Sequence, residues 1–358
     1  MARRRAYVTL DGLRGIAALS IVVLHCHRYF GAMEWSSAAL AVDLFFVLSG
    51  FVLAYAYEDR LPTGRWAFVK ARLIRLYPLY LVGTVLGIIE ALLIIRTGQG
   101  SVEWSWDKFW ISLPFSLAML PRPASNLFPF NGVMWSIFFE LFINIVWAVF
   151  WRPLRSTRTL VIAVVLSAIG LALSVAVCGT MVGLGSSWST LIGGMFRVSY
   201  SFFLGVLFFR FHKQWKLPKL PPVLLFLGLP LVLFLPLSVP IKLVAAIFVL
   251  PWFVLLGSQV EPRGLLEPVA RQLGLASYAV YTVHKRAYLL SYAFVLQVLR
   301  IDLQQFTPWA GIGFTLALIG GCLLLNRFID EPARKWLTKM LGRQVELAAK
   351  REQATQAP

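Results

Sequence analysis

Apolar stretches of roughly twenty residues recur along almost the whole chain, more of them than a water-surrounded domain can bury. A helix crosses the hydrocarbon core of a bilayer in about 20 residues, so each stretch has the length of a membrane span. Hydropathy places them near 14–33, 38–57, 76–96, 130–150, 159–178, 190–209, 221–236, 239–257, 274–297 and 309–328. The stretch at 221–236 is short and carries Pro222 and Pro230. The expected fold is all-α: a polytopic transmembrane helical bundle of about ten spans. Only 14% of the residues are charged, against about a quarter in soluble domains.

The net charge of +18 would suit a nucleic-acid binder, but an aromatic-rich apolar background argues against nucleic acid as a partner. In a membrane protein, basic residues first report topology, because they stay on the cytoplasmic side beside anionic lipids. With the N-terminus inside, segments 1–14, 58–75, 152–158, 210–219, 258–272 and 327–358 face the cytoplasm and hold 25 of the 34 Lys and Arg. Both termini are therefore expected in the cytoplasm. Met1-Ala-Arg-Arg-Arg before an apolar run resembles a secretory signal, but no small-residue cleavage site follows, so an uncleaved first helix is expected. Residues 1–341 read as one membrane domain and 342–358 as a polar cytoplasmic tail. The longest outer loop, about 97–129, brings Trp104, Trp106 and Trp110 to the interface as an aromatic belt. Cys26, Cys178 and Cys322 are odd in number and each set in apolar sequence, so they read as buried small hydrophobes. No CxxC or HExxH spacing occurs, and no structural metal is expected.

Ionisable groups inside spans are costly and usually face a cavity or the bundle interior. Here they are His25, Asp43, Glu90, Glu140, Arg197, Lys242, His284, Lys285 and Arg286. Glu90 and Lys242 are read as packing charges. The first two spans form a hairpin turning near Glu34, which puts His25 and Asp43 at matching depth. Glu140 and His284 each lie about ten residues into their spans, so all four sit roughly 15 Å from a membrane face at 1.5 Å per residue. Arg14 and His25 are eleven residues apart, within about 20° of three full helical turns. They therefore project from one face, with Arg14 at the cytoplasmic edge, and a passage along that face would carry a cation at its mouth and an imidazole at its middle. Arg72 and Arg75 are neighbours on a helical face just inside the membrane, where arginine forks suit phosphate oxygens.

These segments resemble the acyltransferase-3 family of integral membrane O-acyltransferases. Asp11-Gly-Leu-Arg14 through His25 is similar to that family's first-helix motif, and Val42-Asp43-Leu-Phe-Phe-Val-Leu-Ser49-Gly50-Phe51 to its second. Arg72 and Arg75 match its RxxR element, and Trp135-Ser136 with Glu140 its WS-then-E pattern. Ser277-Tyr278, Tyr281 and His284 resemble a late SYxxYxxH element, and Glu331-Pro332 the terminal EP. Lys285 and Arg286 depart from it, since the family continues there with apolar or proline residues. The resemblance implies a multi-pass protein of the bacterial inner membrane, with acetyl-CoA or another acyl-CoA as donor substrate and no permanently bound cofactor. It implies a hydroxyl acceptor on a cell-envelope glycan such as lipopolysaccharide or exopolysaccharide, or on a lipid-linked sugar. Some members carry an extra periplasmic hydrolase-like domain, for which 358 residues leave no room.

Transfer from a thioester to a hydroxyl needs a base and a means of stabilising the oxyanion. His25 is the expected base, or a transient acyl carrier, with Asp43 or Glu140 fixing its tautomer. Arg14, Arg72 and Arg75 are expected to hold donor phosphates. Trp135, Ser136, Arg197 and His284 complete the expected substrate site. The alternative from the same buried charges is a proton-coupled transporter or flippase of a lipid-linked sugar.

Overall fold

The computed structural model describes residues 7–31, 37–98, 100 and 102–341. The turn near Glu34, the arginines at 3–5 and the tail at 342–358 lie outside the described residues. Within those bounds the chain is helical, without strands. Eleven principal helices follow: α1 (Val8–His25), α2 (Ala41–Tyr57), α3 (Leu61–Thr97), α4 (Trp106–Leu117), α5 (Trp135–Val149), α6 (Thr157–Cys178), α7 (Leu191–Phe211), α8 (Pro222–Phe234), α9 (Val239–Gly257), α10 (Leu266–Gln297) and α11 (Trp309–Leu341). Seven segments are long and apolar enough to cross a membrane, one of which, Ala38–Thr97, contains both α2 and α3. Large apolar side chains such as Leu166, Leu173, Leu231 and Leu316 stay exposed, which only a lipid-facing surface accommodates without aggregation. The protein is a polytopic helical membrane protein.

The helix ends differ from the hydropathy windows for local reasons. α1 begins at Val8, because Glu261 accepts hydrogen bonds from the Val8 and Thr9 N–H groups at 2.8 and 3.3 Å, satisfying donors that a helix start leaves orphaned. It ends at His25, because the backbone leaves the helical region at Cys26 within the polar run His25-Cys26-His27-Arg28. His25 therefore lies in the last turn of α1. α5 begins at Trp135, and the chain before it is already inside the protein: Leu127, Phe128, Phe130 and Asn131 are almost fully buried. Irregular backbone is tolerated at such depth only where protein or a cavity satisfies its polar groups. Here Asn131 donates to the Thr282 carbonyl at 2.8 Å and to the Gly83 carbonyl at 3.3 Å, tying this segment between α3 and α10. Trp106 and Trp110 on α4 are exposed as expected of a belt, whereas Trp104 stacks on Phe130 with centroids 4.8 Å apart.

Small residues set how closely the central helices approach. A Cβ on Gly50 of α2 would lie 2.0 Å from the Phe202 carbonyl oxygen, and one on Gly205 of α7 2.1 Å from that of Val47. Both obstacles are backbone, so neither can rotate away. This backbone-to-backbone seam is the membrane form of helix association through small residues. Gly50→Ala and Gly205→Ala are each expected to cost at least the roughly 1–3 kcal/mol typical of overpacking. Thermal unfolding of the detergent-solubilised protein checks this, and an unchanged Tm for both variants would show that the seam is loose.

Candidate active site

Each expected site residue is delivered by one of the helices α1, α2, α3, α5, α7 and α10. α1 runs along α10, where Gly15 meets the Leu273 backbone and Gly274 meets Asp11. This contact turns the Arg14–His25 face onto α10. Arg14 donates from Nε to Ser277 Oγ at 3.1 Å, and from Nη2 to Asp11 at 2.6 Å and to the Gly274 carbonyl at 3.2 Å. Two turns further along α10, His284 Nε2 lies 2.9 Å from His25 Nδ1. The in-phase placement of Arg14 and His25 is thus observed, with α10 as the surface they share.

The histidine pair has a defined proton arrangement. His284 Nδ1 lies 2.9 and 3.0 Å from the carbonyls of Tyr281 and Val280. Carbonyls only accept, so Nδ1 of His284 carries the proton and its Nε2 holds a lone pair. His25 Nδ1–H therefore donates to that lone pair, and Nε2 of His25 is left unprotonated. A neutral imidazole with a free Nε2 is the form that takes a proton.

Two cavities meet around this face. The first is lined by Arg14, Arg72, Arg75, Glu140, Ser277 and Tyr278 among others. The second is lined by His25, Trp135, Asn126, Ser186, Arg197 and Lys285 among others. Val42 and Tyr281 line both. Tyr281 is four residues after Ser277 and three before His284, so it occupies the same helical face between them. Its hydroxyl is hydrogen-bonded to Ser136 Oγ at 2.5 Å. The passage expected from α1 is therefore divided by a tyrosine–serine partition and is not one open channel.

The two expected carboxylate partners of His25 are engaged elsewhere. Asp43 receives a two-pronged bond from Arg197, Nε at 2.7 Å and Nη2 at 2.6 Å, with both side chains 1% exposed. Nη1 of Arg197 also donates to the Met181 and Leu184 carbonyls, and Nη2 to the Ala39 carbonyl. A guanidinium has five N–H groups, and all five are used, so Arg197 braces the cavity wall and has no donor left for substrate. Glu140 is bound by Arg72 at 2.5 Å and by Ser49 at 3.2 Å. It lies in the first cavity rather than beside His25, because the buried segment before α5 lets the helix start deep inside the protein. Glu90 pairs with Arg286. The charges that suggested a proton relay are, in these three carboxylates, closed ion pairs.

Arg75 approaches Asp330 at 3.4 Å and lies over the Tyr278 ring. Arg334 holds the same aspartate at 2.8 Å. Asp330 is the last residue of a π-helical turn, Asn326–Asp330, a local widening often found at functional positions. A cleft lined by Tyr57, Lys70, Arg72, Arg75, Arg334 and Thr338 adjoins the first cavity through Arg72 and Arg75.

The acyltransferase domain family, acyltransferase-3, matches residues 7–327. The chain belongs to this family. Two curated proteins are similar over parts of it. "Protein 2 in picA locus" of Rhizobium radiobacter is 36% identical over 183 residues, covering 48% of this chain and 95% of that protein. "Acyltransferase MdmB" of Streptomyces mycarofaciens is 31% identical over 159 residues, 41% of this chain and 40% of that protein. No solved structure matches.

This acyltransferase-3 protein brings together most of the residues that its sequence singles out, but in three groups. Arg14, Arg72, Arg75 and Glu140 share the first cavity, and Ser136 joins Tyr281 at the partition. His25, Trp135 and the braced Arg197 line the second, with His284 buried behind His25. The residues not assigned from sequence are Lys70 and Arg334 at the cleft and Asn126 and Lys285 in the second cavity. Lys285 was visible as an unusual charge after His284; Asn126 carried no signal, because a polar residue in a loop is unremarkable.

Proposed function

We propose that this membrane acyltransferase moves an acyl group, acetyl in the simplest case, from cytoplasmic acyl-CoA to a hydroxyl on a cell-envelope glycan or lipid-linked sugar in the bacterial inner membrane. The observation that carries the reading is the pair of cavities: cationic on the Arg14 side, imidazole-bearing on the other, meeting at Tyr281 and Val42. The positive-inside bias sets the Arg14 side toward the cytoplasm. There Arg14, Arg72 and Arg75, with Lys70 and Arg334 in the adjoining cleft, suit the phosphates of coenzyme A, since arginine pairs with phosphate through two parallel N–H bonds. The pantetheine arm passes the Tyr281 partition and presents its thioester to the second cavity.

His25 Nε2 takes the proton from the acceptor hydroxyl as its oxygen attacks the thioester carbonyl. The tetrahedral intermediate collapses, the carbon–sulfur bond breaks, and the imidazolium returns the proton to the departing thiolate. The products are the acyl ester and free coenzyme A. His284 holds the donor tautomer of His25 and shares the positive charge through its own bond to two carbonyl dipoles, the orienting part that a carboxylate plays in a triad.

Purified protein given acetyl-CoA is expected to release free thiol, and the thiol assay separates this reading from a transporter that leaves the thioester intact. Loss of acyl groups from the surface glycan when the gene is deleted, read by mass spectrometry, would locate the acceptor. Arg75→Ala and Arg334→Ala are each expected to raise the KM for acetyl-CoA about tenfold or more, because a hydrogen bond to a charged group contributes about 1.5–3 kcal/mol. The kcat should change little. An unchanged donor KM in both variants would remove the cleft from the donor site.

A further inference from the structure

Among the described residues, the second cavity contains one cation without a carboxylate bound to it, Lys285. Arg197 is neutralised by Asp43, and Glu90 is bound to Arg286. Among the described residues no carboxylate lines this cavity, and Lys285 has no hydrogen-bond or ion-pair partner. An ammonium in such a place is costly unless something supplies a negative charge.

A second donor stands beside it. The Oδ1 atom of Asn126 accepts from the Phe128 N–H at 3.1 Å, which fixes the orientation of the amide and leaves its NH₂ to the cavity. Gly132 lies between the two. A Cβ built there would be 3.7 Å from Asn126 Nδ2 and 3.9 Å from Lys285 Nζ. Both distances are ordinary contacts, so the space beside Gly132 is room for an atom that both donors can reach. His25 lines the same cavity.

We propose that Lys285 and Asn126 form an anion subsite for the acceptor, so that the acyl acceptor is an anionic sugar, bearing a carboxylate or a phosphate. This rests on the acyl-transfer reading and narrows its acceptor. The anionic group sits at Lys285 and Asn126 over Gly132, which places a hydroxyl of the same sugar toward His25. An ammonium and an amide NH₂ are both donors, and neither selects a neutral hydroxyl over water as strongly as it selects an anionic oxygen.

The test is binding by the full-length protein in uncharged detergent, measured by calorimetry with methyl β-D-glucuronide, methyl β-D-glucoside 6-phosphate and neutral methyl β-D-glucoside. At least one anionic glycoside is expected to bind about 10- to 100-fold more tightly than the neutral one, the range that a charge-assisted bond supports. The stronger of the two identifies the group as carboxylate or phosphate. Lys285→Gln should abolish that preference. Lys285→Arg should keep it, and Gly132→Ala, whose methyl fills the space between the donors, should weaken it. Failure of both anionic glycosides to bind better than the neutral one, or a preference that survives Lys285→Gln, would overturn the subsite. The same glycosides with acetyl-CoA give a separate readout: Lys285-dependent binding without any ester formed would keep the subsite and reject the acyl-transfer reading.

Discussion

His25→Ala is expected to lower kcat/KM for acyl transfer by about 100- to 10,000-fold, the range that a positioned general base contributes. The protein should still fold and insert, because His25 ends its helix and lines a cavity instead of filling the core. His284→Leu tests the arrangement behind it. Leucine removes the lone pair that holds His25 Nδ1–H, so either ring nitrogen of His25 can carry the proton and part of the population presents the wrong one. The loss should lie between wild type and His25→Ala and should fall on kcat more than on KM. His284→Gln, whose side-chain oxygen can accept the same proton, should recover part of it. Steady-state kinetics on the purified variants reads all three. A His25→Ala enzyme with wild-type kcat/KM would reject the base, and equal activity in the leucine and glutamine variants at position 284 would reject tautomer control.

The parts of this site that were legible in the sequence are those governed by helical phase. Arg14 and His25 on α1, and Ser277, Tyr281 and His284 on α10, are spaced so that each set shares a face, and the two faces meet. Pairings across the chain were not legible, because residues far apart in sequence are brought together only by packing. Asp43 and Arg197 are 154 positions apart, and no local rule joins them. Electrostatics also pointed to the wrong partner for His25: a carboxylate is the stronger orienter for an imidazole, but the nearby acids meet arginines first, and a neutral imidazole takes the place. Glu140 likewise meets Arg72 and Ser49 instead of His25. Counting residues from the start of a hydropathy window assumes that the window starts at the membrane face. The segment containing Phe130 and Asn131 enters as buried irregular chain instead, held by Gly87, whose Cβ would lie 1.8 Å from the Phe130 carbonyl oxygen. The partition at Tyr281 follows from the same helical face that made Ser277 and His284 neighbours, but whether its hydroxyl finds Ser136 depends on α5, and sequence spacing on α10 is silent about that.

The largest loss of stability is expected at Asp43. Its side chain and that of Arg197 are each 1% exposed, so Asp43→Ala leaves a guanidinium buried with two of its five bonds missing. Breaking one side of a buried pair costs roughly 3–5 kcal/mol, whereas replacing both partners by apolar residues of similar volume is often close to neutral. Arg197→Met alone strands the carboxylate and should cost about as much. The double variant Asp43→Leu with Arg197→Met should recover most of the loss, falling short because the Met181, Leu184 and Ala39 carbonyls lose their donor. Unfolding in mixed micelles with increasing SDS reads the difference between single and double variants. Additive losses in the double variant would show that the pair is not coupled. The recovered protein should still be a poor enzyme: Arg197 lines the His25 cavity and its bonds tie α2 and α7 to the loop at 181–184, so the apolar pair restores the fold without the wall that shapes the acceptor space. Stability and activity should therefore separate at this position, which a purely structural ion pair remote from the site would not allow.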